Sequence, residues 1–132
     1  HGVRYYNDSK GTNPDAAIQA IRAMEWPTLL IGGGYDKGAD YDAWIQAFGG
    51  KVKKLVLLGA TREKIRDTAI RLGYPPEDIL LAESLQEAVD QCVLHAAEGD
   101  AVLLSPACAS WGMFQNYEER GEQFKEMVRA IK

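Results

Sequence analysis

Three short runs in this chain are dense enough in charge and hydroxyls to do chemistry. They are Asn7-Asp8-Ser9-Lys10-Gly11-Thr12-Asn13, Gly32-Gly33-Gly34-Tyr35-Asp36-Lys37-Gly38 and Ser105-Pro106-Ala107-Cys108-Ala109-Ser110. Lys10 and Lys37 offer ammonium groups, Thr12 and Ser110 short hydroxyls, and Asp8 a carboxylate. If they face one crevice, they suit a small dianion such as an acidic amino acid, held by charge-assisted hydrogen bonds. Each also has a plainer use. A glycine run after a strand commonly makes a tight turn, Lys37 reads as a solvated loop lysine, Thr12 as a helix-start hydroxyl and Asp8 as a turn residue. Convergence is what favours the functional reading.

Other chemistries fare worse. The glycine run completes no GxGxxG, and no GxxxxGK followed by Ser or Thr occurs. Ser110 belongs to no GxSxG elbow, which argues against a serine hydrolase. Cys108 sits among small residues with no histidine nearby in sequence and reads as packing. His95 falls on the polar side of its helix and His1 is terminal, so a histidine metal site is unsupported. Glu118, Glu119 and Glu122 read as a solvated helix face, and Trp26, Trp44 and Trp111 as packing. Cys92 and Cys108 form no CxxC pair, so a reduced, cytoplasmic setting is expected. The net charge of -4 argues against a nucleic-acid partner. No apolar run nears the roughly 20 residues of a membrane helix, and no signal peptide is visible.

Positioning these runs requires strands and helices in alternation. Val3 to Tyr6 reads as a strand, followed by a helix that Asn13 caps and Pro14 begins, burying Ala17, Ile18, Ile21 and Met24. Thr28 to Ile31, Lys54 to Leu58 and Ala101 to Leu104 are apolar runs suited to central strands covered on both faces. Ile79 to Ala82 is a weaker strand nearer an edge. A short helix is expected over Tyr41 to Phe48. Another, capped by Thr61, runs to about Leu72 and stops at Gly73. Ser84 and Glu87 form a capping box for a helix facing inward through Leu85, Val89, Cys92, Val93 and Ala96. The last helix spans about Tyr117 to Ile131, with Phe124, Val128 and Ile131 inward. The pattern predicts one α/β domain over residues 1–132, Rossmann-like and doubly wound, with a mainly parallel sheet and helices on both faces. The chain opens directly on a strand, so an upstream partner domain is expected.

Taken together, the runs resemble a family. Residues 7–14 resemble the NDSKxTN motif of the D-glutamate-adding Mur ligases, and residues 33–41 their Gly-Gly-x-x-Lys-x-x-Asp-aromatic segment. Leu104 to Ser110, then Phe114 and the run Glu119-Arg120-Gly121-Glu122-Gln123-Phe124, resemble their LSPACAS and RGxxF signature. Order and spacing agree across essentially the whole chain, and sister ligases carry a different first motif. The family often has an acidic residue after SPACAS, where this chain has Trp111-Gly112-Met113, and Tyr117 stands where phenylalanine is common.

The resemblance implies a domain that receives the incoming amino acid and closes on a central ATPase domain. ATP phosphorylates the L-alanyl carboxylate of UDP-N-acetylmuramoyl-L-alanine, and the D-glutamate amine then attacks the acyl phosphate, giving an amide, ADP and phosphate. It implies that Thr12 and Lys37 hold D-glutamate carboxylates, that Ser110 binds the side-chain carboxylate, and that Tyr117 forms the adjacent pocket wall. Asp8 would contact the nucleotide ribose and Lys10 would face the phosphates. ATP and Mg2+ are expected mainly on the central domain, leaving no catalytic residue in this domain alone. Two alternatives stand beside this reading: a standalone amino-acid or nucleotide-binding module without catalysis, and a related ligase for another amino acid, such as a sister Mur enzyme or folylpolyglutamate synthase.

Overall fold

The structure is a computed structural model that describes residues 2–131; His1 lies outside them. Five parallel strands form one sheet: β1 (Arg4–Asn7), β2 (Thr28–Gly32), β3 (Val52–Leu57), β4 (Ile79–Leu81) and β5 (Ala101–Leu104). Their spatial order is β1-β5-β2-β3-β4, so the last strand inserts between the first two. Among the described residues five α-helices accompany them, four between strands and the last after β5: α1 (Pro14–Ala23), α2 (Asp42–Gln46), α3 (Arg62–Arg71), α4 (Leu85–His95) and α5 (Tyr117–Arg129). A single antiparallel bridge, Tyr35 to Ala109, lies beyond the strands.

Strand alternation divides the core into two layers. Leu30, Leu55, Leu57 and Leu103 meet Ile21 of α1, Trp44 of α2 and Ile65 of α3 on one face. Leu29, Ile31, Val56, Val102 and Leu104 meet Val89 and Cys92 of α4 and Phe124 of α5 on the other. Helices therefore cover both faces, as a doubly wound sheet requires. Each aliphatic side chain fully buried this way contributes about 1.5–3 kcal/mol, so the central strands dominate the stability.

Several local signals act as expected. The Asn13 side chain accepts the Ala16 N–H at 2.9 Å, and the Ser84 hydroxyl accepts that of Glu87 at 3.1 Å. At the end of α3, Tyr74 N–H bonds Ala69 O at 2.9 Å and Gly73 N–H bonds Ile70 O at 3.0 Å. That pair is a Schellman stop, with Gly73 at φ 97°. The weak strand β4 does lie at an edge.

Other expectations need correction. The Thr61 hydroxyl does not cap α3; it accepts the Gly34 N–H at 2.9 Å, tying α3 to the loop after β2. β3 begins at Val52, ahead of the apolar run. Lys53 hid its start; its ammonium group reaches Asp100, as that of Lys54 reaches Asp78, which lets a strand carry charge there. α2 is shorter than expected and ends at Gln46. Val93 is 41% exposed, because the inward stripe of α4 runs through Leu85, Ala88, Val89 and Cys92. Trp111 is 54% exposed and packs in no core layer.

Candidate functional site

β1, β5 and β2 are adjacent and parallel, so the loops leaving their carboxyl ends emerge side by side. This is where an open α/β sheet places its ligands. Backbone hydrogen bonds bind the loops together. Asp8 N–H donates to Leu104 O at 2.7 Å, and Ala107 N–H to Gly11 O at 2.9 Å. Gly33 N–H donates to Pro106 O at 2.9 Å, and Tyr35 N–H to Ala109 O at 3.0 Å. Ala107, at φ 61°, adopts a left-handed conformation that costs about 1–2 kcal/mol in an L-residue, an expense the surrounding bonds offset.

These bonds settle what the glycine run is for. The amides of Gly33, Gly34 and Tyr35 all point at protein acceptors, not at open space. A Cβ on Gly33 would lie 2.2 Å from Leu58 O, and one on Gly59 would lie 2.6 Å from Gly34 Cα. The glycines let two loops touch. A phosphate cradle needs free donors, so this run does not fit a nucleotide triphosphate. Among the described residues, no group of three or more His, Cys, Asp or Glu side chains is placed to hold a metal.

A buried arginine joins the loops to α5. Arg120 is 2% exposed. Its Nε donates to Ser9 Oγ at 2.9 Å, Nη1 to Cys108 O at 3.0 Å and Nη2 to Ser9 O at 2.6 Å. Ser9 Oγ in turn donates to Tyr117 O at 2.6 Å. Asn7 Nδ2 donates to Gly121 O at 3.3 Å, a close approach that a side chain on Gly121 would block. Asn116 caps α5 by accepting the Glu119 N–H at 2.7 Å. From Cys108 the network continues through its Sγ to Tyr41 Oη at 3.1 Å and Thr61 Oγ1 at 3.4 Å.

Burial sets the titration of this network. It pushes the Arg120 guanidinium down to about 10, the charges of Cys108 and Asp8 opposing the shift. At neutral pH the group stays charged. Burial raises the Cys108 thiol, against hydrogen bonds from Thr61 and Tyr41. A raised thiol is a poor nucleophile, which agrees with a packing role. Asp8 is raised as well, chiefly by desolvation, while its hydrogen bond from Ser105 and the charge of Arg120 pull it down.

The expected residues distribute as follows. Asp8, Lys10 and Thr12 occupy the loop after β1; Asp8 is half-buried and accepts the Ser105 hydroxyl at 2.8 Å. Lys37 is exposed on the loop after β2, its Nζ 5.3 Å from the centroid of the Trp111 ring. Ser110 is buried and lines a narrow recess with Gly33, Gly34, Met113, Phe114 and Arg120. Tyr117 opens α5 and shares a hollow of about 190 Å³ with Asn7, Ser9 and Lys10. Ser110 and Tyr117 thus line separate recesses, with Arg120 bonded to both loops between them. A larger hollow of about 520 Å³ lies beside Phe48, Val52 and Tyr74, at the amino-terminal end of the sheet. Its distance from the converging loops sets it apart from the site.

Sequence reasoning gave no individual role to Arg120 or Ser9, and gave Thr61 only that of a helix cap, not its bond to Gly34. The signal for Arg120 was present: Tyr117, Arg120, Gly121 and Phe124 follow helical spacing, which turns the arginine inward.

Comparisons with known proteins agree with this geometry. The model of the family "Mur ligase, glutamate ligase domain" matches residues 1–108. The UDP-N-acetylmuramoylalanine–D-glutamate ligase of Lachnoclostridium phytofermentans is 67% identical over 99% of this chain, and that of Thermoanaerobacter sp. (strain X514) is 59% identical over all of it. The chain spans only 28% and 29% of those relatives' lengths. Among solved structures, a domain from a putative UDP-N-acetylmuramate:L-alanyl-gamma-D-glutamyl-medo-diaminopimelate ligase of Haemophilus ducreyi superposes with a TM-score of 0.59 at 14% identity, covering 96% of this chain and 92% of that one. The Mycobacterium tuberculosis folylpolyglutamate synthase complexed with ADP gives 0.58 at 16% identity, covering 92% of this chain and 29% of that one. At such identities the two structures speak for the fold alone. With its parallel sheet, its converging loops and a family match over most of its length, the chain belongs to the glutamate ligase domain family of the Mur ligases.

Proposed function

We propose that this chain, as one domain, receives the amino acid in an ATP-dependent ligase that joins D-glutamate to UDP-N-acetylmuramoyl-L-alanine in cytoplasmic peptidoglycan synthesis. One observation carries the reading: three signature runs meet at adjacent strand ends, in a chain 59–67% identical to ligases of that name. Lys37 and Thr12 hold D-glutamate carboxylates and Ser110 takes the side-chain carboxylate, while Tyr117 walls the neighbouring hollow that it shares with Lys10. Asp8 meets the nucleotide ribose, and Lys10 faces the phosphates across the cleft to a preceding domain. In the reaction ATP phosphorylates the L-alanyl carboxylate and leaves as ADP. The D-glutamate amine attacks the acyl carbon, an amide bond forms, and phosphate departs with the C–O bond electrons.

The glycine run supports dividing the work between domains, because its amides are already bonded within the fold. ATP and Mg2+ therefore sit mainly on the preceding domain. Two assays test the reading. Competition among D-glutamate, L-lysine and diaminopimelate in the complete protein should select D-glutamate; selection of another amino acid would refute it. The purified 132-residue chain should give no ATP-dependent ligation, and turnover by it would refute the division of labour.

A further inference from the structure

Trp111 is exposed at the rim of the loop after β5, next to the buried Ser110. Its indole is nevertheless held in place. The Tyr35 ring meets it edge-on, with centroids 5.3 Å apart and planes at 65°. The Tyr35 main chain is anchored by its backbone bond to Ala109. On the indole rests the Lys37 ammonium, 5.3 Å from the ring centroid and within the range of a cation–π attraction.

Lys37 has reason to need such a support. It is exposed, and it precedes Gly38, at φ 77°, with open space around it. The neighbouring acid, Asp36, already accepts the Gly38 N–H at 2.8 Å and faces Lys64 at 3.5 Å. A lysine side chain in solvent samples many rotamers, and ordering it costs up to about 2 kcal/mol. A carboxylate partner would order it too, but would also neutralise it and repel an incoming dianion. An aromatic face attracts the ammonium and leaves its full charge available.

We infer that Trp111 is a positioning residue: its indole, met edge-on by Tyr35, holds the Lys37 ammonium over its ring at the rim of the converging loops, ready for a substrate carboxylate. This rests on the proposed role of Lys37 as a carboxylate anchor. It assigns a use to Trp111-Gly112-Met113, the stretch where the chain departs from the family pattern.

The test is a kinetic comparison in the complete protein that carries this chain. Trp111→Ala should raise KM for D-glutamate about fivefold, the equivalent of about 1 kcal/mol, and leave kcat within about twofold. Trp111→Phe, which keeps an aromatic face, should recover part of the loss, and Trp111→Glu should bind D-glutamate more weakly than Trp111→Ala. Because Trp111 is exposed, the thermal midpoints of the variants should stay near that of the parent. An unchanged KM in Trp111→Ala would overturn the inference and leave the ligase reading intact. So would a fall in kcat alone, or a Trp111→Phe variant no better than Trp111→Ala. A parent protein that does not turn over D-glutamate would overturn the ligase reading, and this inference with it.

Discussion

At the scale of single residues, the site separates charge that is free from charge that is committed. Lys37 is exposed and rests on an aromatic ring, the arrangement that its proposed role as a carboxylate anchor calls for. Truncation to Lys37→Ala in the complete protein should weaken D-glutamate binding by about one to two orders of magnitude, the usual worth of a charge-assisted hydrogen bond, as measured by calorimetric titration. Asp8 behaves differently. Its carboxyl is raised, mainly by desolvation, so the folded state binds a proton more readily than the unfolded one. Stability linked to Asp8 is therefore fully present below the ordinary carboxylate value and is lost as pH rises through its raised folded value. Asp8→Asn keeps an oxygen to accept the Ser105 hydroxyl but cannot ionise. In urea melts at pH 7 this variant should be as stable as the parent or more so, with a flatter stability profile from mildly acidic to neutral pH, even as ligation falls. A destabilised Asp8→Asn would show that the carboxylate serves the fold.

At the scale of elements, α5 and the glycine loop work as fasteners. Arg120 reaches two loops with three hydrogen bonds, and its removal leaves buried acceptors without donors. Arg120→Ala should cost about 3 kcal/mol in chemical denaturation. Arg120→Lys should restore only part of that, because an ammonium cannot reproduce the planar fork. Gly33→Ala places a methyl against the Leu58 carbonyl at φ 100° and should lower stability by at least about 2 kcal/mol in the same assay. The sequence made these elements readable wherever a rule is local. Asn13, Ser84, Gly73 and the apolar runs of β2 and β5 each declare their role through near neighbours. What escaped was non-local. The Thr61 hydroxyl turns from the helix it would cap toward Gly34, and Arg120 is satisfied by carbonyls from Ser9 and Cys108, far from it in sequence. Trp111 looked like core because indoles usually are, and only the tertiary placement of Tyr35 and Lys37 shows it at a rim.

At the scale of the whole molecule, the doubly wound order brings residues from both halves of the chain to one edge of the sheet. Sequence alternation predicted the class of fold, but not that the fifth strand would enter between the first two. That placement governs how the chain can fold as it is made. Tyr5 pairs with Val102, and β1 has no other neighbour in the sheet. β2 likewise lacks its partner on that side until β5 emerges. From the synthesis of β1 until that of β5, two strand edges therefore stay open to pairing with another chain, a known hazard for aggregation. Pulse-labelled hydrogen exchange during refolding should show β1 and β5 gaining protection together, after β2 and β3; early protection of β1 alone would contradict this order. A nascent chain arrested before Ala101 should thus depend on holding chaperones in a way that the finished chain does not.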